Sequence, residues 1–142
     1  MVPDVVLDAN VLYSGLFPDR TRPPARAVDA VFGGDQFTAI VSDELLAEYR
    51  EVPVREGALK RFGKSRAEVL EFLEALRAVG REVVTVPGPP CPDPRDQHLW
   101  DLLASEPRAV LVTGERVLLG SGHFPGRILS PRDFVERYLE ER

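Results

Sequence analysis

Four carboxylates in this chain stand where an apolar stretch stops or turns inward. The run VVLDAN, Val5 to Asn10, carries three apolar residues straight into Asp8. A buried, unpaired carboxylate is expensive, so such an aspartate has a partner, a metal, or the simpler task of capping the next helix. In SDELLAEYREV, Ser42 is a good N-cap, and the helix dipole accounts for Asp43 and Glu44 in the first turn. Leu45, Tyr49 and Val52 define the apolar stripe of that helix, with Leu46 flanking it. Glu48 stands three after Leu45 and four before Val52, which puts it on the border of the stripe. In CPDPRDQHLWDLLA, Asp93-Pro94 reads as an N-cap followed by proline at the first helical position. Asp96 then lines up with Leu99, Trp100 and Leu103, while Asp101 points away. In AVLVTGERVLL a strand runs into Thr113, Gly114 and Glu115: a hydroxyl, a glycine that permits tight backbone approach, and a carboxylate. Each has a local alternative: a helix cap for Asp8, a solvated boundary for Glu48, a bond back to its own helix start for Asp96, a plain turn for Glu115.

Taken together, the four point to shared chemistry. If Asp8, Glu48, Asp96 and Glu115 converge, cations must offset their repulsion. Hard oxygen donors favour Mg²⁺ or Mn²⁺ over zinc, and no histidine or cysteine set competes for the role. Ions of this kind bridge phosphate oxygens, activate water and support the leaving oxygen in phosphodiester hydrolysis. On this reading Asp8 is a metal ligand. Other chemistries fit less well. His98 is expected to face away from its helix stripe and His123 lies in a Gly-rich loop, so both are expected at the surface and no Ser/His/Asp set is visible. A phosphoacceptor domain would want an acidic pair or an acid two after the nucleophile, and a lysine late in the chain. Here Asp4 precedes the strand, Asn10 holds the second position, and the last lysine is Lys64.

The elements that must position these residues alternate. Strands are predicted at Val5–Leu7, Phe37–Val41, Glu82–Val86 and Ala109–Thr113, with a short one at Arg127–Leu129. Helices are predicted at about Pro24–Phe32, Asp43–Val52, Val54–Phe62, Arg66–Val79, Pro94–Ala104 and Pro131–Glu140. The strands are apolar on consecutive positions, which is how strands covered on both faces read. The helix Arg66–Val79 carries Val69, Leu70, Leu73, Leu76 and Val79 at helical spacing. Strand–helix alternation implies an α/β fold with a mainly parallel sheet between helices. In such a sheet ligands collect at the carboxyl ends of the strands.

The 142 residues, 44% hydrophobic and 29% charged, suit one globular domain spanning 1–142. No stretch approaches the ~20 apolar residues of a membrane span, and no signal peptide is visible. The single cysteine, Cys91, excludes an internal disulfide and fits a cytoplasmic protein. A net charge of −5 argues against nucleic-acid binding through the overall field. It leaves room for a local basic groove: Arg55, Lys60, Arg61, Lys64 and Arg66 cluster between residues 55 and 66, although a solvated helix face is the more common explanation of such a cluster.

The ordered pieces LDANVLYSGL, VSDELLAEYREV, DPRDQHLWDLLA, AVLVTGERVLL and ILSPRDFVERYL resemble those of PIN-domain proteins, in particular the VapC-like toxins of toxin–antitoxin pairs. The resemblance covers nearly the whole chain. It implies a three-layer α/β/α sandwich and a Mg²⁺- or Mn²⁺-dependent ribonuclease. The family's acidic positions fall on Asp8, Glu48, Asp96 and Glu115, and its neighbouring polar positions on Asn10 and Thr113. The fourth acid is usually aspartate, so the longer Glu115 arm displaces that carboxylate by about one C–C bond. The resemblance also implies as partners an RNA substrate, a small antitoxin whose tail fills the acidic cleft, and a second copy of the chain. Its basic cluster, and Arg20, Arg22 and Arg26, would guide the RNA strand. The alternative on the same fold is a non-catalytic interaction module.

Overall fold

Consecutive apolar residues, rather than alternating ones, build the strands, and that decides the architecture. A computed structural model describes residues 2–34, 36–51, 60 and 63–140. The strands are β1 (Asp4–Leu7), β2 (Thr38–Val41), β3 (Arg81–Glu82), β4 (Ala109–Val112) and β5 (Ile128–Leu129). They form one parallel sheet in the order β3-β2-β1-β4-β5. Val5 to Leu7, Ala39 to Val41 and all of β4 are buried, so helices cover both faces and the fold is an α/β/α sandwich.

The helices are α1 (Ala9–Ser14), α2 (Pro23–Gly33), α3 (Asp43–Glu51), α4 (Arg66–Val79), α5 (Gln97–Ser105), α6 (Arg116–Leu119) and α7 (Pro131–Phe134). A 3₁₀ turn, Pro94–Asp96, precedes α5, and α7 runs on into a π-type turn over Val135–Leu139. Helix α2 packs on β2, α1 and α7; α5 packs on β4 and on α3, which in turn meets α4. Phe37 and Phe134 stack at 5.4 Å with Tyr138 beside both, tying the entry to β2 to the last helix. Arg127 anchors the other end of the sheet. Its guanidinium donates to the carbonyls of Leu103, Glu106 and Ala109, and its Cζ lies 5.1 Å from the Phe124 ring centroid.

Where caps are local, the expected boundaries hold. Helix α4 begins at a capping box in which Ser65 and Glu68 bond each other's backbone N–H, and it spans the predicted residues. Its stripe is narrower than expected: Val69, Leu73 and Leu76 are buried in the core, but Leu70 and Val79 are exposed, because only one side of the helix faces that core. Strand β3 is a two-residue edge, shorter than the predicted Glu82–Val86. Val84 is 98% exposed, and the chain leaves the sheet to follow α5, with Val86 N–H bonding Ser105 Oγ and Gly88 N–H bonding Asp101 Oδ1. Gly88 is needed there, since a Cβ would sit 2.9 Å from the Trp100 carbonyl oxygen. The predicted helix Val54–Phe62 lies almost wholly outside the described residues. Among the described residues no helix is long and apolar enough to cross a membrane.

Candidate metal centre

The sheet order makes β1 the central strand, with the chain winding from it towards β2 and β3 on one side and continuing in β4 and β5 on the other. The crevice at the carboxyl ends of β1 and β4 is the topological switch point of such a sheet. Asp8 and Glu115 arrive there directly. The Asp8 N–H continues the β1–β4 ladder to the Val112 carbonyl at 3.0 Å, and Thr113 N–H continues β4–β5 to the Leu129 carbonyl at 2.9 Å. Glu48 reaches the same place from α3, and Asp96 from the turn that starts α5.

Two tyrosines hold these elements in register. Tyr49 Oη donates to the Leu7 carbonyl at 2.5 Å, and Tyr13 Oη donates to the Tyr49 carbonyl. The first bond joins the residue after Glu48 to the residue before Asp8, so it sets the spacing of two carboxylates from separate elements. Burial, then the negative charges of Asp8 and Glu48, hold the Tyr49 phenol well above its ordinary pKa, so it remains a donor.

All four acids line one open cleft of about 960 Å³. Asp8, Asp96 and Glu115 each occupy the residue just before a helix, yet none makes a side-chain capping bond to that helix. Their carboxylates are turned to the cleft instead. This removes the capping alternative for Asp8 and Asp96. Asp8 is almost wholly buried and accepts a 2.7 Å hydrogen bond from the Thr113 hydroxyl. Burial raises its pKa to about 6, with Asp96 and Glu48 adding to the rise and the Thr113 bond opposing it. Asp96 is also raised, by burial first and then by Asp93 and Glu48. Glu115 is exposed at the rim, where Asn10 Nδ2 donates to its Oε1 at 3.1 Å, while its N–H bonds Thr113 Oγ1. So Asn10 and Thr113 are both hydrogen-bonded to site acids.

No lysine or arginine pairs with Asp8, Glu48, Asp96 or Glu115 among the described residues. Several arginines pair away from the four acids: Arg20 with Asp29, Arg26 with Glu140, Arg81 with Asp4 and Glu106. Glu44, Glu51 and Asp93 add further acids to the cleft wall, against one guanidinium among the described residues, Arg95, which is itself paired with Asp93. A buried carboxylate crowded by like charges without a basic partner is a poor structural feature and a good cation site. Carboxylate donors of this kind fit a divalent cation.

Two expectations need correction. His98 is not a surface residue: its side chain is 13% exposed and its Nε2 lies 2.7 Å from Glu48 Oε2. Ligand atoms of Glu48, Asp96 and His98 lie within 4.8 Å of one another, so a histidine joins the carboxylates after all. The helix stripe extrapolated from Leu99, Trp100 and Leu103 missed it, although Leu102, one turn on and fully buried, marks the same face. Burial would lower the His98 pKa, but the Glu48 bond and the Asp96 and Asp8 charges outweigh it and leave it raised. Gly114 is not a close-approach glycine, since the nearest atom to a Cβ there would be Asn10 Oδ1 at 4.0 Å. Of the basic cluster, Lys64 borders a separate cavity of about 340 Å³, Lys60 and Arg66 are exposed, and Arg55 and Arg61 lie outside the described residues. His123 is exposed as expected, and its Nδ1 accepts the Trp100 indole N–H at 2.8 Å.

A family model described as PIN domain matches residues 4–116, which spans β1 to the first residue of α6 and takes in all four acids. No curated protein matches the chain.

Proposed function

The chain belongs to the PIN-domain family, whose members are generally metal-dependent nucleases, and from that premise we propose that it is a Mg²⁺- or Mn²⁺-dependent endoribonuclease, the toxin of a toxin–antitoxin pair. One observation carries the reading most strongly. Asp8 is buried at the switch point beside Asp96 and Glu48, and a neutral hydroxyl is its one side-chain hydrogen-bond partner among the described residues. Among the described residues no lysine or arginine pairs with that charge, whereas a divalent cation would balance it.

Asp8, Glu48 and Asp96 would hold the ion, with Glu115 holding a second ion or orienting the attacking water. Bound there, the ion lowers the pKa of a water and stabilises charge on the phosphate and leaving oxygens. The protein's own part is placement. Thr113 turns the Asp8 carboxylate inward, Asn10 fixes Glu115, and the Tyr49–Leu7 bond keeps α3 against β1. Arg95, 89% exposed at the rim, is the cation on the cleft wall that an incoming phosphate would meet. An open cleft of this kind suits RNA whose backbone is single-stranded or looped. The acidic surface also suits a small antitoxin that brings a basic side chain to it, and a homodimer and a cytoplasmic setting complete the proposal.

The test is cleavage of a single-stranded RNA by the purified protein. Cleavage that requires millimolar Mg²⁺ or Mn²⁺, stops with chelator and is lost in Asp8→Asn and Asp96→Asn supports the reading. Metal binding without cleavage of any RNA would instead make the domain a non-catalytic interaction module.

A further inference from the structure

His98 sits in the cleft at a cost that the fold does not explain. Its Nδ1 is buried with no hydrogen-bond partner among the described residues, whereas buried polar atoms are nearly always paired. An apolar side chain would pack against α3 without that penalty. What the imidazole gains in exchange is one bond, from Nε2 to Glu48 Oε2 at 2.7 Å, and this is the hydrogen bond that holds the Glu48 carboxylate among the described residues. Asp8 and Glu115, in contrast, have Thr113 and Asn10. Glu48 has three freely rotating side-chain torsions and is only about three-quarters covered, so without His98 it would sample several rotamers.

We propose that His98 is a positioning residue of the metal centre: by tying Oε2 of Glu48 it holds that carboxylate beside Asp96 and leaves Oε1 for the cation. The inference rests on the proposed function and adds to it a group outside the acidic set. Partners that orient a ligand in this way typically change metal affinity about 10- to 100-fold when removed.

Direct Mn²⁺ binding, read from the electron paramagnetic resonance signal of the free ion, tests it without any RNA. His98→Leu should raise the Mn²⁺ dissociation constant by about 10- to 100-fold. In chelator its urea midpoint should stay at or above that of the wild type, because the orphaned nitrogen is gone. His98→Gln, which can still donate to Glu48, should recover most of the affinity. Wild-type affinity in His98→Leu overturns the proposal. So does His98→Gln binding as weakly as His98→Leu, which would make the imidazole nitrogen itself a donor to the ion. A wild-type protein that binds no Mn²⁺ at all overturns the metal-dependent nuclease reading, and the role of His98 with it.

Discussion

Replacing Asp8 by asparagine should make the metal-free protein more stable while abolishing its use as a metal site. The folded environment raises the Asp8 carboxyl from 3.8 to about 6, chiefly by burial. A group held above its unfolded pKa lends its full stability below the unfolded value and loses it as pH rises through the folded one. The loss is about two pKa units at ~1.4 kcal/mol each, or about 3 kcal/mol, complete above about pH 6. Asparagine carries no charge to desolvate, keeps an oxygen to accept the Thr113 hydroxyl, and offers N–H groups to Glu48 and Asp96. At neutral pH in chelator, Asp8→Asn should therefore exceed the wild type by about 3 kcal/mol, or roughly 10 °C in Tm for a domain of this size. The gap should shrink as pH falls from about 6 to about 4. Adding Mn²⁺ should reverse the order, since ligand binding stabilises only the protein that binds it. Thermal and urea denaturation across this pH range measure the effect. An Asp8→Asn protein that is less stable than wild type in chelator, or a gap that ignores pH, would refute the claim that Asp8 is a desolvated charge awaiting a cation.

Tyr49→Phe deletes the donor to the Leu7 carbonyl and should cost about 1–3 kcal/mol by urea denaturation. Because that bond spaces Glu48 from Asp8, Mn²⁺ affinity should fall as well; unchanged affinity would show that packing alone sets the spacing. Arg127→Met removes the donor shared by three carbonyls from α5, the turn after it and β4, and should lower stability by roughly 3 kcal/mol or more while leaving metal affinity intact.

The sheet was legible in the sequence because its signal is local. Val5–Leu7, Ala39–Val41 and Ala109–Val112 are short, valine- and isoleucine-containing apolar runs, which is how strands covered on both faces read. Helix α4 was equally plain, since Ser65 and Glu68 close its capping box within four residues. The edge was not: Val84 and Val86 look like strand residues, but whether an apolar side chain is covered depends on which element lies over it, and none does. The same division runs through the site. That four acids stop strands or border helix stripes can be read along the chain. That Asp8, Asp96 and Glu115 decline to cap their helices, that no arginine or lysine forms an ion pair with them among the described residues, and that His98 turns in to Glu48 depends on residues as far apart as Asp8 and Thr113. Sequence determines which groups carry charge. How costly that charge is, and therefore what it will bind, is set by the solvent it loses and the neighbours it meets, and these exist only once the chain is folded.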